Sequence, residues 1–273
     1  MADLYAVIGN PVVHSKSPLI HLEFSRQTGQ DIGYEALPAP EDAFTAAVAG
    51  FRQRGGKGMN VTVPFKLEAC KISSHLTERA SAAQAVNTLS FNTREIFGDN
   101  TDGVGLVRDI TVNREFSLGA KRILLMGAGG AARGVLLPLL EREPRVLTIA
   151  NRTRQKAAEL QQQFSRYGNI VSGDYADLKG EEFDLIINAT SASLKGELPT
   201  LPPGIFAARS MAYDMMYGNE YNLFLQHAER QGAMRLANGT GMLVEQAAES
   251  FFVWRGIRPK TAPVIEMLRK IGG

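Results

Sequence analysis

The stretch Gly127–Gly134, GAGGAARG, constrains this chain more than any other feature. The apolar run KRILLM before it reads as a β-strand. AARGVLLPLLER after it reads as a helix, and RVLTIAN reads as the next strand. This strand–turn–helix–strand unit carries G-x-G-x-x-A in its turn. Glycines there allow a tight bend and bring backbone N–H groups at a helix N-terminus close to a pyrophosphate. The bland alternatives are an ordinary turn and a nucleotide fold without its ligand. The tip of the second strand reports which dinucleotide is meant. NAD-binding chains place Asp or Glu there to hold the ribose 2′-hydroxyl. Here the tip reads Asn151-Arg152-Thr153-Arg154, with Lys156 close behind and no acid before Glu159. A carboxylate repels a 2′-phosphate and a cluster of cations attracts one, so the pocket predicts NADP. A solvated basic helix start is the competing reading, but cations there oppose the helix dipole.

The 273 residues fit one large domain or two ordinary ones. A content of 44% hydrophobic and 21% charged residues is that of a soluble globular protein. The net charge of +2 gives no electrostatic footprint for nucleic acid. The single cysteine, Cys70, excludes an internal disulfide framework and a cysteine-rich metal site, and it fits a reducing compartment. No signal-peptide pattern opens the chain, and no segment is long and apolar enough to span a bilayer. The expectation is a cytoplasmic protein that binds a small molecule, with no nucleic acid, membrane or metal. A homodimer is left open.

Strand and helix patterns alternate along the chain, which predicts an α/β fold. YAVIGN, GYEALPA, KGMNVTV, AVNTLSF and EIFGDN read as short strands, and PLIHLEFSRQTG and EDAFTAAVAGFRQRG as amphipathic helices. A helix pattern, GVGLVRDITVN, leads into the nucleotide-binding unit. DLIINAT, MAYDMMY and MRLANG continue that unit as strands, with YNLFLQHAERQG as a helix between the last two. Two helices, MLVEQAAESFFVWRG and PVIEMLRKIGG, close the chain. The expected organisation is a substrate domain, residues 1–103 and 238–273, and a Rossmann-type NADP domain, residues 104–237. The terminal helices return to the first domain, and a cleft between two α/β domains suits a small ligand.

Three constellations fall in the first part. In VIGNPVVHSKSP, Ser17-Pro18 reads as an N-cap and N1 pair that starts a helix. Ser15 and Ser17 suit a carboxylate ligand, although capping alone also explains Ser17. In KGMNVTVPFK, Thr62 and Lys66 flank a strand end at Pro64, where ligands gather in open α/β sheets. Lysine there can donate to a carbonyl or exchange a proton, and a solvated surface lysine is the alternative. Asn87, Asn100 and Asp102 lie near strand ends in AVNTLSF and GDNTDGVG, and turn chemistry alone accounts for Asn-Thr-Asp-Gly. His14, His21, His75 and His227 form no ligand spacing.

Taken in order, GNPVVHSKSP, NVTVPFK, AVNTL, GDNTDGVG, GAGGAARG, NRT, NATS, DMMY and GMLVEQA resemble the shikimate dehydrogenase family over nearly the whole chain. The resemblance implies a two-domain α/β enzyme that reduces 3-dehydroshikimate to shikimate with NADPH, reversibly, on the route to aromatic amino acids. It implies that Ser15 and Ser17 bind the substrate carboxylate. Thr62, Asn87, Asp102, Tyr217 and Gln246 surround the ring and its hydroxyls, and Lys66, with Asp102, is catalytic. It further implies that Gly127, Ala128, Gly129, Gly130 and Ala131 hold the pyrophosphate. Asn151, Arg152, Thr153, Arg154 and Lys156 take the 2′-phosphate, and Thr190, Met215 and Gly239 line the nicotinamide side. Glu78 is expected to approach the cofactor. Three departures stand out. Lys156 replaces a frequent arginine, ASLKG follows NATS, and ANGT precedes GMLVEQ. An NAD-linked quinate/shikimate dehydrogenase is expected to carry an acid near Asn151–Arg154. A non-catalytic sensor is expected to have lost Lys66, Asp102 or the serines.

Overall fold

The computed structural model describes residues 2–190, 200–218 and 221–272, and it contains two six-stranded sheets with helices on their faces. In the first sheet β1 (Asp3–Gly9) lies between β2 (Ile32–Pro38) and β3 (Gly56–Val61), all parallel. Beyond β3, β5 (Thr88–Phe91) and β6 (Ile96–Asp99) run antiparallel to their neighbours, and the short β4 (His75–Leu76) parallels β6 at the edge. The side chains of β1 alternate between faces, as strand geometry requires. Tyr5 and Val7 join Ile20 and Phe24 of α1 (Ser17–Thr28) on one face. Ala6 and Ile8 join Phe44, Val48 and Phe51 of α2 (Phe44–Gln53) on the other.

The second sheet is wholly parallel, in the order β12-β11-β10-β7-β8-β9. Its strands are β7 (Arg122–Met126), β8 (Val146–Ala150), β9 (Ile170–Gly173), β10 (Phe183–Asn188), β11 (Phe206–Asp214) and β12 (Arg235–Asn238). Read from β9, this is the doubly wound 3-2-1-4-5-6 order, whose ligands sit outside the strand C-terminal ends at the switch point between β7 and β10. Leu124 and Met126 pack on one face, with Phe183, Phe206 and Phe224. Ile123 and Leu125 pack on the other, against Val135, Leu136 and Leu139 of α6 (Gly130–Leu140).

The closing helices, α9 (Thr240–Arg255) and α10 (Ala262–Gly272), return to the first sheet. Val244, Ala247, Phe251, Val264 and Leu268 enter the core of Tyr5 and Val7. Truncating the fully buried Phe251 to Ala costs about 3–5 kcal/mol. Among the described residues no helix is long and apolar enough to cross a membrane.

Local patterns misled in a few places. The short helices α3 (Lys66–Ile72) and α4 (Glu78–Ala83) and the edge strand β9 lack enough residues to display a period. β11 starts and ends earlier than MAYDMMY suggests, because a register shift against β10 turns Ala208 and Arg209 outward and interrupts its apolar run. Ser17 does not cap α1: it is the first helical residue, after Lys16. Pro18 has no N–H to satisfy, so the first turn needs one capping acceptor fewer.

Candidate active site

Lys66 opens α3 just beyond the end of β3. Phe65 beside it stacks on Phe44 at 4.8 Å, which anchors the turn in the core. The Lys66 carbonyl accepts from the Val86 N–H at 2.9 Å. Asp102 opens α5 (Asp102–Arg108), three residues past β6. Lys66 Nζ pairs with Asp102 Oδ2, and the two side chains are only 16% and 8% exposed. Asp102 Oδ1 accepts from Asn87 Nδ2 at 2.8 Å. The direction of that amide is not arbitrary. The Thr101 N–H, which can only donate, reaches Asn87 Oδ1 at 2.8 Å, so Nδ2 must face the carboxylate. The same Nδ2 lies 3.2 Å from Gln246 Oε1 on α9. Lys66, Asn87, Asp102 and Gln246, all expected at the site, are thus brought together as one cluster. Its chemistry is that of a positioned proton donor and acceptor: an ammonium whose remaining N–H groups can reach a ligand oxygen, beside a carboxylate held on both oxygens.

A second group lies at the same end of the first sheet, after β1 and β3, which run parallel with Ile8 paired to Val61. Ser15 Oγ accepts from the Ser17 N–H at 3.2 Å, so Ser15 supplies a capping contact that the sequence assigned to Ser17. Ser17 is buried near Tyr34, whose phenol is pushed well above its usual range by burial. Thr62 follows β3 half-buried, with its N–H bonded to the Ile8 carbonyl at 2.9 Å. Tyr217 stands past β11, 39% exposed. It lines one cavity with Lys16, Thr240 and Leu243, so it faces the loop that carries Ser15 and Ser17.

The glycine turn lies at the switch point of the second sheet. Gly127 has φ +107°, a conformation only glycine adopts without strain, and its N–H bonds the Ala150 carbonyl at 2.8 Å. Gly129 caps α6 and Gly130 begins it, and no acidic or capping side chain covers that helix start. A Cβ at Gly129 or Gly130 would meet nothing within 4 Å. The fold itself does not demand glycine there, whereas a closely approaching pyrophosphate does. Ala128 is buried and Ala131 half-buried beside them. This cradle fits a dinucleotide phosphate.

Thr190, Met215 and Gly239 gather at the neighbouring strand ends. Thr190 Cγ2 lies 3.1 Å from where a Gly127 Cβ would be. The Met215 N–H bonds the Asn188 carbonyl at 2.9 Å, and a Cβ on Gly239 would sit 2.2 Å from the Met215 carbonyl oxygen. Asn151 is half-buried, and Arg152, Thr153, Arg154 and Lys156 are exposed at the tip of β8 and the start of α7 (Arg154–Phe164). Glu78 is exposed at the start of α4 and makes no hydrogen bond or ion pair with the glycine turn among the described residues. The segment 192–196, one of the noted departures, lies outside the described residues.

Residues 7–89 match the shikimate dehydrogenase substrate binding domain, 110–195 the shikimate/quinate 5-dehydrogenase family and 239–269 the shikimate 5′-dehydrogenase C-terminal domain. The chain is 69% identical over 269 residues to the shikimate dehydrogenase (NADP(+)) of Nitrosospira multiformis, covering 98% of each protein. This chain belongs to the shikimate dehydrogenase family. Among solved structures it resembles an Ael1 enzyme from Pseudomonas putida, at 47% identity and a TM-score of 0.92 over 98% of both chains. It also resembles the shikimate 5-dehydrogenase of Thermus thermophilus in complex with NADP(H) and shikimate. That match has 30% identity and a TM-score of 0.87, over 98% of this chain and 99% of that one.

Within this shikimate dehydrogenase framework, several residues join the cluster that sequence reading did not single out. Tyr34 donates to Asn60 Oδ1 at 2.7 Å, and Asn60 Nδ2 donates to Ser250 Oγ at 2.9 Å. Ser250 lies 2.8 Å from Thr88 Oγ1 and 3.1 Å from Thr101 Oγ1, both bonded to Asn87. A buried polar chain thus runs from Tyr34 to Lys66. Asn60 and Thr88 sat inside the quoted motifs, while Tyr34 and Ser250 carried no local signal. His21 stacks flat on Tyr34 at 4.3 Å, and burial pushes its imidazole down to about 3.

Proposed function

We propose that the chain performs the reaction of its family, the reversible NADP-linked interconversion of 3-dehydroshikimate and shikimate on the route to aromatic amino acids. It acts as an oxidoreductase on a small hydroxy acid. The observation that carries this reading is the Lys66–Asp102 pair, held by Asn87 at the strand ends of the first sheet.

When bound, NADP supplies or takes up the hydride. The protein's own residues do the rest. In the reducing direction the carbonyl oxygen gains negative charge, and Lys66 Nζ stabilises it and delivers a proton. In the oxidising direction Lys66 takes the proton from the hydroxyl. Asp102 holds the lysine and accepts from a substrate hydroxyl, while Asn87 and Gln246 fix the ring. Ser15 and Ser17 take the carboxylate, with Thr62 and Tyr217 closing around the ring. We assign Gly127–Ala131 to the pyrophosphate, Asn151, Arg152, Thr153 and Lys156 to the 2′-phosphate, and Thr190, Met215 and Gly239 to the nicotinamide side. Residues 1–103 with 238–273 form the proposed substrate domain, and 104–237 the proposed NADP domain. The shared core of α9, α10 and the first sheet supports that division. The lone, half-buried Cys70 supports a cytoplasmic setting.

The test is oxidation of shikimate by the purified protein, followed as absorbance of reduced cofactor, with NADP and NAD in parallel and quinate as a second substrate. Strong activity with shikimate and NADP alone is expected. Comparable rates with NAD or quinate contradict the specificity assigned, and no activity with any pair contradicts the function.

A further inference from the structure

Arg154 is one of the cations expected to grip the 2′-phosphate, yet its guanidinium is already engaged. Its Nη2 lies 2.6 Å from Asp177 Oδ2, 2.7 Å from Asp177 Oδ1 and 3.1 Å from Asp174 Oδ2. Those two carboxylates cannot swing away. The Asp174 N–H donates to Asp177 Oδ2 at 3.0 Å, and the Ala176 and Asp177 N–H groups donate to Asp174 Oδ1 at 2.9 and 3.2 Å. The reciprocal bonds lock both acids into the turn after β9.

That turn lies beside the tip of β8. Ala150 pairs with Gly173, and the Asn151 N–H bonds the Gly173 carbonyl at 3.2 Å, so Asp174 follows directly beside Asn151 and Arg152. Tyr175, between the two acids, marks the same neighbourhood. Burial raises its phenol to about 12, against an opposing pull from the charge of Arg152. Arg152 and Lys156 make no ion pair among the described residues, whereas Arg154 is held by both acids. Hydrogen bonding to Arg154 lowers the carboxyl of Asp174.

We propose that Arg154 sets cofactor choice indirectly: it neutralises Asp174 and Asp177, two fixed carboxylates that otherwise repel the 2′-phosphate and favour NAD. A carboxylate at this tip is the device by which NAD-binding folds hold a ribose hydroxyl. This chain carries that negative charge on the adjacent strand and cancels it. The inference rests on the assignment of the NADP phosphate to Arg152 and its neighbours, and it changes the role of one of them. Arg154 is a positioning residue rather than a ligand to the phosphate.

The test is steady-state kinetics with NADP and NAD for Arg154→Ala, for Asp174→Asn with Asp177→Asn, and for all three together. Arg152→Ala serves as the reference, and thermal melts check that each variant folds. Asn keeps the oxygen that accepts the turn's N–H groups. Arg154→Ala is expected to raise the KM for NADP roughly ten-fold with that for NAD within about two-fold, the scale of uncovering two charges near a phosphate. Adding the two Asn substitutions is expected to restore the NADP preference to within about three-fold of the original. In the parent chain the same two substitutions leave that preference at least as strong. A loss in Arg154→Ala that the Asn pair does not repair means that Arg154 grips the phosphate itself, and it overturns the proposal. An unchanged KM for NADP in Arg154→Ala also overturns it. If Arg152→Ala leaves the NADP preference unchanged, the pocket assignment falls and this inference with it.

Discussion

The sites on the two sheets are built in opposite ways. At the first sheet, Lys66, Asp102, Asn87 and Gln246 are held by one another and by Thr88, Thr101, Asn60 and Ser250 in a buried polar chain. At the second sheet, the glycine turn presents bare backbone, open space beside Gly129 and Gly130, and exposed cations. One site is organised before any ligand arrives. The other is shaped to be completed by one. Preorganised donors are what acid–base chemistry requires, while an open helix start and unpaired charge are what a phosphate requires.

The difference can be broken from either side. The largest effect is expected at the organised end. Asp102→Asn keeps the shape but removes the charge that holds Lys66, and turnover of shikimate is expected to fall by roughly two to four orders of magnitude. Steady-state kinetics with the KM for NADP unchanged is the check. At the open end, Arg152→Ala is expected to raise the KM for NADP by roughly ten- to fifty-fold while barely moving that for NAD, the loss of one strong charge-assisted contact. An equal loss for both cofactors contradicts a phosphate role.

Smaller effects sharpen the contrast. Gly129 has room for a Cβ and an ordinary φ of −85°, so Gly129→Ala is expected to melt at the parent temperature yet bind NADP more weakly. Gly127, at φ +107°, is needed by the fold, and Gly127→Ala is expected to lose about 1–3 kcal/mol of stability. Paired melting and titration curves separate the two. A separate effect concerns pH. Burial lowers His21 from 6.5 to about 3, so the unfolded chain binds the extra proton between those values. The stability from keeping this ring neutral is fully present above about pH 6.5. It is lost at roughly 1.4 kcal/mol per pH unit as pH falls through that window. His21→Phe is expected to flatten that slope in denaturant titrations across the window; an unchanged slope counts against the burial of a neutral ring.

How legible each end was in the sequence follows from the same contrast. The glycine turn was readable because its demands are local: a strand, a bend without side chains, and a helix. The tip of β8 was readable as basic, but not as partly cancelled, because Asp174 and Asp177 lie 20 and 23 residues from Arg154. Lys66 and Asp102 were quoted in their motifs; strand-end logic placed Lys66 where ligands gather, whereas Asp102 read locally as turn chemistry and was assigned a site role only through the resemblance. The chain that aligns them was not readable, since Asn60 and Ser250 meet across 190 residues. Nothing in a helix pattern distinguishes Ser250 from an ordinary small residue. Local rules also misassigned the cap of α1, where Ser15 rather than Ser17 offers the oxygen.

One measurement bears most directly on this account. Lys66→Ala and the parent chain are compared for shikimate oxidation with NADP and, by fluorescence titration, for NADPH binding. The expected result is a turnover lower by at least roughly a hundred-fold with NADPH affinity unchanged. Turnover equal to the parent's would contradict the catalytic role of the Lys66–Asp102 pair, and a matching loss of NADPH affinity would contradict the separation of the two sites.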